Sequence, residues 1–261
     1  MNFERKNKYD FYDLVEIMKI LRSPEGCPWD RVQTHDSIRA DFIEETYEAI
    51  EAIDTKDAEL LREELGDVML QVVFHSLMEE EEGRFNISDV CDEVSKKLII
   101  RHPHVFADTI ADTPDEVLKN WDQIKMQTKS QKSQSEVLAS VSKALPALMY
   151  SQKIQHKAAK VGFDFESTED ALSKVNEELL ELKNAIDNND VENMSEELGD
   201  LLFSVVNVAR FIKVDSEKAL YDATLKFTER FGKVEALCVE RGIDMTTAPM
   251  SELDSLWDEV K

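Results

Sequence analysis

Two sets of five carboxylates recur at one fixed spacing, and these are the residues whose arrangement could do chemistry. Each set has the pattern Glu-Glu-x-x-Glu, followed further along by Glu-x-x-Asp. The sets are Glu44, Glu45, Glu48, Glu64 and Asp67, and then Glu177, Glu178, Glu181, Glu197 and Asp200. A shift of 133 positions superposes them, and 15 of the 30 residues in 44–73 are identical to those in 177–206. The chain therefore contains a duplicated module whose shared content is acidic.

The spacing within each set suits a cation site. Residues three and four apart are neighbours on a helix surface, so each motif presents its carboxylates on one helical face. Two antiparallel helices would join the motifs into four or five oxygen donors, the ligand type that Mg²⁺ or Mn²⁺ takes. Helix bundles that hold iron use Glu-x-x-His, and none of the five histidines has a glutamate three residues before it. The pattern favours Mg²⁺, with Mn²⁺ as the alternative.

Asp67 and Asp200 interrupt segments that are otherwise almost wholly apolar, at 65–74 and 198–206. A helix that is apolar nearly all round is buried on most sides, and a buried unpaired carboxylate costs several kcal/mol. A single Glu-x-x-Glu in so acidic a chain is more often a solvated helix face. The repeated pairing with an aspartate predicts instead that both aspartates are buried and that a bound cation compensates them.

Two basic residues and a tryptophan follow the acids in each half. They are Lys97, Arg101 and Trp121 in the first half, and Lys226, Arg230 and Trp257 in the second. Cations beside metal-binding carboxylates suit a polyphosphate, because the metal bridges phosphate oxygens while the cations hold the rest of the anion. A tryptophan could stack on a base. The alternative is that the cations are solvated helix charges and the tryptophans are core residues.

Helices must position these groups. With 7 glycines, 6 prolines and no Asn-Gly or Asp-Gly pair, the chain has little turn chemistry for strands. Apolar periodicity predicts helices over 11–22, about 36–53, 58–82, 88–101 and 216–241, with Ser88 and Thr168 as N-caps and 27–30 as a loop. The polar stretch 129–135 predicts a linker over 129–136 between modules 1–128 and 137–261, a division that suits 261 residues.

Charge and cysteine content exclude several classes of partner. A net charge of −24 repels polyanions, so nucleic-acid polymers and anionic membranes are disfavoured. Cys27, Cys91 and Cys238 are widely spaced, which argues against a disulfide framework or a zinc site and for a reducing compartment. The first residues do not form a signal peptide, and no apolar run approaches 18 residues. The sequence predicts a cytoplasmic protein.

Longer motifs carry a family resemblance. They read Gly-Cys-Pro-Trp-Asp-Arg-Val-Gln-Thr-His at 26–35, Glu-Glu-Thr-Tyr-Glu at 44–48, Glu-Glu-Leu-Gly-Asp at 63–67, Arg-His-Pro-His-Val-Phe at 101–106, Val-Gly-Phe-Asp at 161–164 and Lys-Phe-Thr-Glu-Arg at 226–230. Together they resemble the MazG-type nucleoside triphosphate pyrophosphohydrolases over essentially the whole chain. The resemblance implies two tandem helical-bundle modules of the all-α NTP pyrophosphatase type. It also implies a homodimer, Mg²⁺ dependence, and hydrolysis of an NTP or dNTP at the α-β bond to NMP and pyrophosphate.

The resemblance also assigns residues. It implies that the metal ligands are Glu178, Glu181, Glu197 and Asp200, with Glu45, Glu48, Glu64 and Asp67 in the first module. Our mechanistic hypothesis is that Glu177 or Glu178 activates water. Substrate-binding positions fall on Lys174, Lys226, Arg230 and Trp257, and more weakly on Lys97, Arg101 and Trp121. Lys174 corresponds to Asp41 in the first half, so we expect the second module to be the main catalytic unit. The rival interpretation is a non-enzymatic acidic helical scaffold that binds or senses nucleotides without hydrolysing them.

Overall fold

The computed structural model describes residues 3–111, 113–128 and 133–261, and these form helices with no β-strand among them. The all-α prediction is confirmed. In chain order the helices are α1 (Phe11–Arg22), α2 (Pro28–Val32), α3 (Arg39–Thr55), α4 (Ala58–Glu81), α5 (Ile87–Arg101), α6 (Pro103–Phe106), α7 (Pro114–Thr128), α8 (Gln134–Ala139), α9 (Ala147–Ala159), α10 (Thr168–Asp187), α11 (Val191–Phe211), α12 (Ser216–Arg241) and α13 (Met250–Glu259). None of these described helices is both long and apolar enough to cross a membrane.

The helices group into two compact units, 1–125 and 126–261. Residues 129–132 of the predicted linker lie outside the described part of the chain. The side chain of Ser133 caps α8, accepting a hydrogen bond from the backbone amide of Glu136 at 3.2 Å. A helix therefore begins inside the range 129–136.

Two predicted N-caps are wrong by one or two residues. Asn86 caps α5, because its Oδ1 accepts hydrogen bonds from the amides of Ser88 and Asp89 at 2.8 and 3.2 Å. Ser167 caps α10, and the predicted cap Thr168 is the first helical residue. In both cases two residues that lie within two positions of each other are suitable caps, and the one nearer the N-terminus takes the role.

The segment predicted as a loop over 27–30 is instead the N-cap and the first three residues of α2. Pro28 is the first residue of the helix. A backbone amide at this position would have no acceptor within the helix, so its absence in proline costs no hydrogen bond. The approach to this helix is tight at Gly26, where a β-carbon would lie 2.2 Å from the carbonyl oxygen of Ile20. Only glycine lets the chain pass so close to the end of α1.

The core of the first unit lies between α1, α4 and the segment before α3. Its buried residues are Met18, Ile38, Val73, Phe74, Leu77 and Met78. α3 and α4 pack against each other across a turn in which Lys56 adopts a left-handed φ of 58° and Asp57 caps α4. This turn folds the acidic face of α3 back along α4.

A histidine pair ties the segment before α3 to α4. His35 Nδ1 lies 2.7 Å from His75 Nδ1, and His35 Nε2 lies 2.7 Å from Glu79 Oε1. The ring planes differ by only 5° with centroids 5.0 Å apart, so the rings are nearly coplanar and meet edge to edge. Arg84 donates two hydrogen bonds to the same Glu79 carboxylate. Hydrogen bonds from Arg84, and then from His35, lower the pKa of Glu79 from 4.5 to about 2.

We expect Glu79 to make the unfolding free energy depend on pH. Its folded pKa lies below its unfolded value of 4.5, so its stabilisation is complete above pH 4.5 and is lost as pH falls towards 2. Glu79→Gln should therefore be less stable than the parent at pH 7, and the difference should shrink as pH falls through that window. Urea denaturation of the full chain at several pH values measures this. Glu82→Gln, which removes an exposed acid 3.7 Å from Arg84, is the control. A difference that stays constant down to pH 3 would contradict the assignment.

Candidate active site

The acids of the second unit lie on α10 and α11, which pack antiparallel across residues 188–190. Asn189 adopts a left-handed φ of 53°, a conformation that asparagine tolerates better than most residues. Asp190 caps α11 by accepting a hydrogen bond from the amide of Asn193 at 3.2 Å. The turn sets the Glu-x-x-Asp motif of α11 against the Glu-Glu-x-x-Glu motif of α10.

Five carboxylates converge there in two overlapping groups. Within each group, one oxygen of each residue lies within 4.8 Å of the others: Glu177, Glu178 and Glu181 form one group, and Glu178, Glu197 and Asp200 form the other. Glu178 belongs to both and is only 4% exposed. Glu197 is half-buried, and the other three are exposed. The prediction that Asp200 is buried is therefore wrong, and the buried acid is Glu178.

The electrostatics of this cluster favour a cation. Partial burial, and then the negative charges of Glu181, Glu178 and Asp200, raise the pKa of Glu197. A carboxylate whose charged form is destabilised by its neighbours is stabilised when a positive ion enters the cluster. The donors are all carboxylate oxygens, which suit a hard divalent cation such as Mg²⁺. The residues present thus fit the metal that the sequence predicts.

The first unit repeats this arrangement on α3 and α4. Oxygens of Glu45, Glu48 and Glu64 lie within 4.8 Å of one another, and Glu64 is 8% exposed. Burial first, and then charges that include that of half-buried Asp67, raise the pKa of both Glu45 and Glu64. The second predicted set of metal ligands is therefore gathered within its own helix pair. In the first set the three glutamates converge, and Asp67 is not part of their group.

The apolar residues beside the acids are more exposed than predicted. Residues at heptad spacing on α10 and α11 are each about half exposed or more. They are Leu172, Leu179 and Ile186 on α10, and Val191, Leu198, Leu202, Val205 and Ile212 on α11. On α4, Leu65 and Met69 are also exposed, at 51% and 45%. The sequence predicts burial for the segments 65–74 and 198–206, and this prediction is wrong for the exposed residues within them because one helix covers only one side of its partner.

Lys174 bonds to the acids themselves. It lies on α10 one turn before them, and its Nζ is 2.8 Å from Glu177 Oε1 and 2.5 Å from Glu178 Oε1. These hydrogen bonds, to Glu177 first, raise the pKa of the Lys174 ammonium. The family resemblance predicts Lys174 as a phosphate contact, and this pairing with the acids was not predicted. Its spacing of three and four residues from the two glutamates was a signal that could have found it.

The other predicted substrate residues of the second unit lie on α12 and α13. Lys226 is exposed and Arg230 is half-buried, and neither side chain makes an ion pair or a hydrogen bond within the described residues. Trp257 is half-buried against the core cluster of Val234, Cys238 and Leu256. Its ring centroid lies 5.3 Å from that of Phe227. Within the described residues, no such bond joins Lys226 or Arg230 to the five acids.

Their counterparts in the first unit already have partners. Lys97 pairs with Glu93 at 3.5 Å. The Arg101 guanidinium lies over the Trp121 ring, 5.3 Å from its centroid. A cation engaged in this way must give up its contact to bind phosphate, whereas Lys226 and Arg230 need not. The two units therefore differ in whether these lysine and arginine side chains already have a partner.

Comparison with known proteins gives consistent results for both halves. The family described as "MazG nucleotide pyrophosphohydrolase domain" matches residues 33–106 and 166–234, which confirms the predicted tandem arrangement. A Thermotoga maritima protein named nucleoside triphosphate pyrophosphohydrolase/pyrophosphatase MazG is 48% identical over 251 residues, 96% of this chain and 95% of that protein. An Escherichia coli K12 protein named nucleoside triphosphate pyrophosphohydrolase is 45% identical over 253 residues, 95% of each chain. YabN of Bacillus subtilis, called uncharacterized, is 44% identical over 97% of this chain and 52% of its own length.

Proposed function

The chain belongs to the MazG family of nucleoside triphosphate pyrophosphohydrolases, and from that premise we propose that it hydrolyses NTPs or dNTPs between the α- and β-phosphates. The products are a nucleoside monophosphate and pyrophosphate, and the cofactor is Mg²⁺, with Mn²⁺ as a substitute. The observation that carries the proposal is that Glu197 and Asp200 converge on Glu178, whose carboxylate is buried.

The metal ligands in the proposal are Glu178, Glu181, Glu197 and Asp200. When bound, Mg²⁺ supplies positive charge to the phosphate oxygens and polarises a water molecule. Since Glu178 belongs to both acid groups, we assign it to the cation and assign proton acceptance to Glu177. The Glu177 side chain is 57% exposed, so its carboxylate can reach a water that approaches from solvent. It would accept a proton as the water oxygen attacks the α-phosphorus.

In the proposal, Lys174, Lys226 and Arg230 bind the phosphate oxygens that the metal does not neutralise. Lys226 and Arg230 lie one turn apart on α12, a spacing at which two cations can hold one polyphosphate chain. Trp257 is half-buried, which leaves part of its indole ring available to stack on a base. We propose that the second module, 137–261, is the main catalytic unit. Two features support this assignment: Lys226 and Arg230 make no ion pair within the described residues, and position 174 is a lysine.

We further propose that two chains form a homodimer through the exposed apolar residues of the helix pairs. Heptad-spaced apolar side chains, about half exposed or more on both α10 and α11, are the pattern by which helices pack against partner helices. The three free cysteines and the nucleotide substrates support a cytoplasmic location. The net charge of −24 argues against nucleic-acid polymers and anionic membranes as partners.

The test is product analysis with a panel of NTPs and dNTPs, with Mg²⁺ or with EDTA. We expect NMP and pyrophosphate, no turnover in EDTA, and recovery when excess Mg²⁺ is added. In ¹⁸O-labelled water the label should enter the NMP, because attack at the α-phosphorus places the new oxygen there. Label in pyrophosphate would move the attack to the β-phosphorus. Release of NDP and phosphate would move it to the γ-phosphorus and overturn the mechanism. Nucleotide binding without turnover under any metal would favour the scaffold interpretation.

A further inference from the structure

Lys174 is the feature that distinguishes the two acid groups. In the second unit it contacts both Glu177 and Glu178, and no other cation pairs with Glu178 among the described residues. The corresponding residue of the first unit is Asp41. In the described part of that unit, no ion pair joins a lysine or arginine to Glu45, Glu48 or Glu64, which are the acids that converge there. One group thus contains its own counter-ion and the other does not.

Two features favour the contacts of Lys174 with the acids: its helical spacing from Glu177 and Glu178, and the burial of Glu178. Glu177 and Glu178 lie three and four residues after it on α10, so its ammonium reaches both carboxylates without distorting the helix. The Glu178 side chain is only 6% exposed, and the Lys174 side chain is 35% exposed. A carboxylate this buried is costly without a positive partner, and Lys174 supplies one in the cation-free protein.

We propose that Lys174 is an internal counter-ion of the second acid group, which a divalent cation must displace from Glu178 in order to bind there. The displaced ammonium then becomes available to the phosphates of the substrate. This second step rests on the proposed function, whereas the displacement does not. In the first group, no lysine or arginine of the described residues has to be displaced.

The displacement has a consequence for the order of binding. A cation that arrives alone must break the Lys174–Glu178 pair, whereas a cation that arrives with a polyphosphate offers Lys174 a new anionic partner. Metal and substrate therefore assist each other's binding at the second group, and the coupling is reciprocal. At the first group, with Asp41 in place of the lysine, this source of coupling is absent.

The first test measures Mn²⁺ binding by electron paramagnetic resonance. The full chain carries Glu45→Gln and Glu64→Gln, so that only the second group binds, and Lys174→Met is compared with this parent. We expect about tenfold tighter Mn²⁺ binding in Lys174→Met, because a charge-assisted pair no longer has to be broken. Lys174→Arg keeps a cation in place and should bind Mn²⁺ as the parent does. Equal or weaker binding by Lys174→Met overturns the proposal.

A second pair of measurements separates this role from a structural one. At saturating Mn²⁺ we expect Lys174→Met to raise KM for the nucleotide severalfold, because the phosphates lose a partner. One substitution would then change metal affinity and substrate affinity in opposite directions. In EDTA its thermal midpoint should fall, and Mn²⁺ should restore it. A fall that Mn²⁺ does not restore, or a KM unchanged while Mn²⁺ affinity is also unchanged, contradicts the counter-ion role.

The reciprocal substitution does not depend on the folding of Lys174→Met. Asp41→Lys places a lysine three and four residues before Glu44 and Glu45. With the second group removed by Glu178→Gln and Asp200→Asn, it should weaken Mn²⁺ binding at the first group, and no change would contradict the proposal. If neither group binds Mn²⁺ in the unsubstituted chain, the metal site of the proposed function fails. If both bind and Lys174→Met changes nothing, only this inference fails.

Discussion

Glutamine in place of Glu178 should lower the turnover number by about a hundredfold or more at saturating Mg²⁺. Glu178 is the one carboxylate shared by both acid groups of the second unit and the most buried of the five. Glutamine keeps the shape of the side chain but removes the negative charge that a hard cation requires. The measurement is kcat for NMP release, and circular dichroism verifies that the helices are retained.

Two matched substitutions make this result interpretable. Glu196→Gln removes an exposed acid next to Glu197 that belongs to neither group, and it should leave kcat unchanged. Glu45→Gln changes the position corresponding to Glu178 in the first unit, and it should have the smaller effect if the second module does most of the catalysis. Parental turnover in Glu178→Gln would refute the site. Equal losses in Glu45→Gln and Glu178→Gln would refute the assignment of the main unit.

The second large effect is expected on oligomeric state. Leu202 on α11 is 51% exposed, and it lies one turn from both Leu198 and Val205. Burying a leucine fully contributes about 1.5–3 kcal/mol, and a two-fold symmetric interface would bury each position twice. Leu202→Glu should therefore convert the proposed dimer to a monomer at micromolar concentration, as measured by sedimentation velocity.

The control for this prediction is another exposed apolar residue of the same unit. Val239 is 78% exposed near the end of α12 and is not part of the heptad series on α10 and α11. Val239→Glu adds the same charge and should leave the dimer intact. A protein that is monomeric before any substitution, or a Leu202→Glu variant that remains dimeric, would show that this face is not the interface.

Features determined by neighbouring residues could be predicted from the sequence, and features determined by distant segments could not. The limits of α1 and α12 and the grouping of Glu178 with Glu181 follow from helical spacing alone. The contact of His35 with His75 joins residues 40 positions apart, so no local pattern indicates it. The exposure of Asp200 depends on what covers α11, which an apolar sequence does not specify.

The two halves of the repeat differ in ways that their identical acidic motifs do not indicate. Identical acids at 44–48 and 177–181 predict identical sites. The difference comes from residues outside the repeated motif, such as Asp41 against Lys174, and from the partners already held by Lys97 and Arg101. The spacing of a motif indicates which residues could be ligands of a site. Which charges are already paired around that site can be known only from the contacts in the folded structure.

The short turns at 56–57 and 188–190 also bear on how the chain reaches its fold. Each acid-bearing helix pair consists of neighbours in sequence, so its contacts have low contact order and it can form rapidly. Each pair can also close as it leaves the ribosome, before the rest of its own module has been synthesised. Closure brings like charges together, so free divalent cations in the surrounding solution would assist the newly made protein before it ever meets a nucleotide.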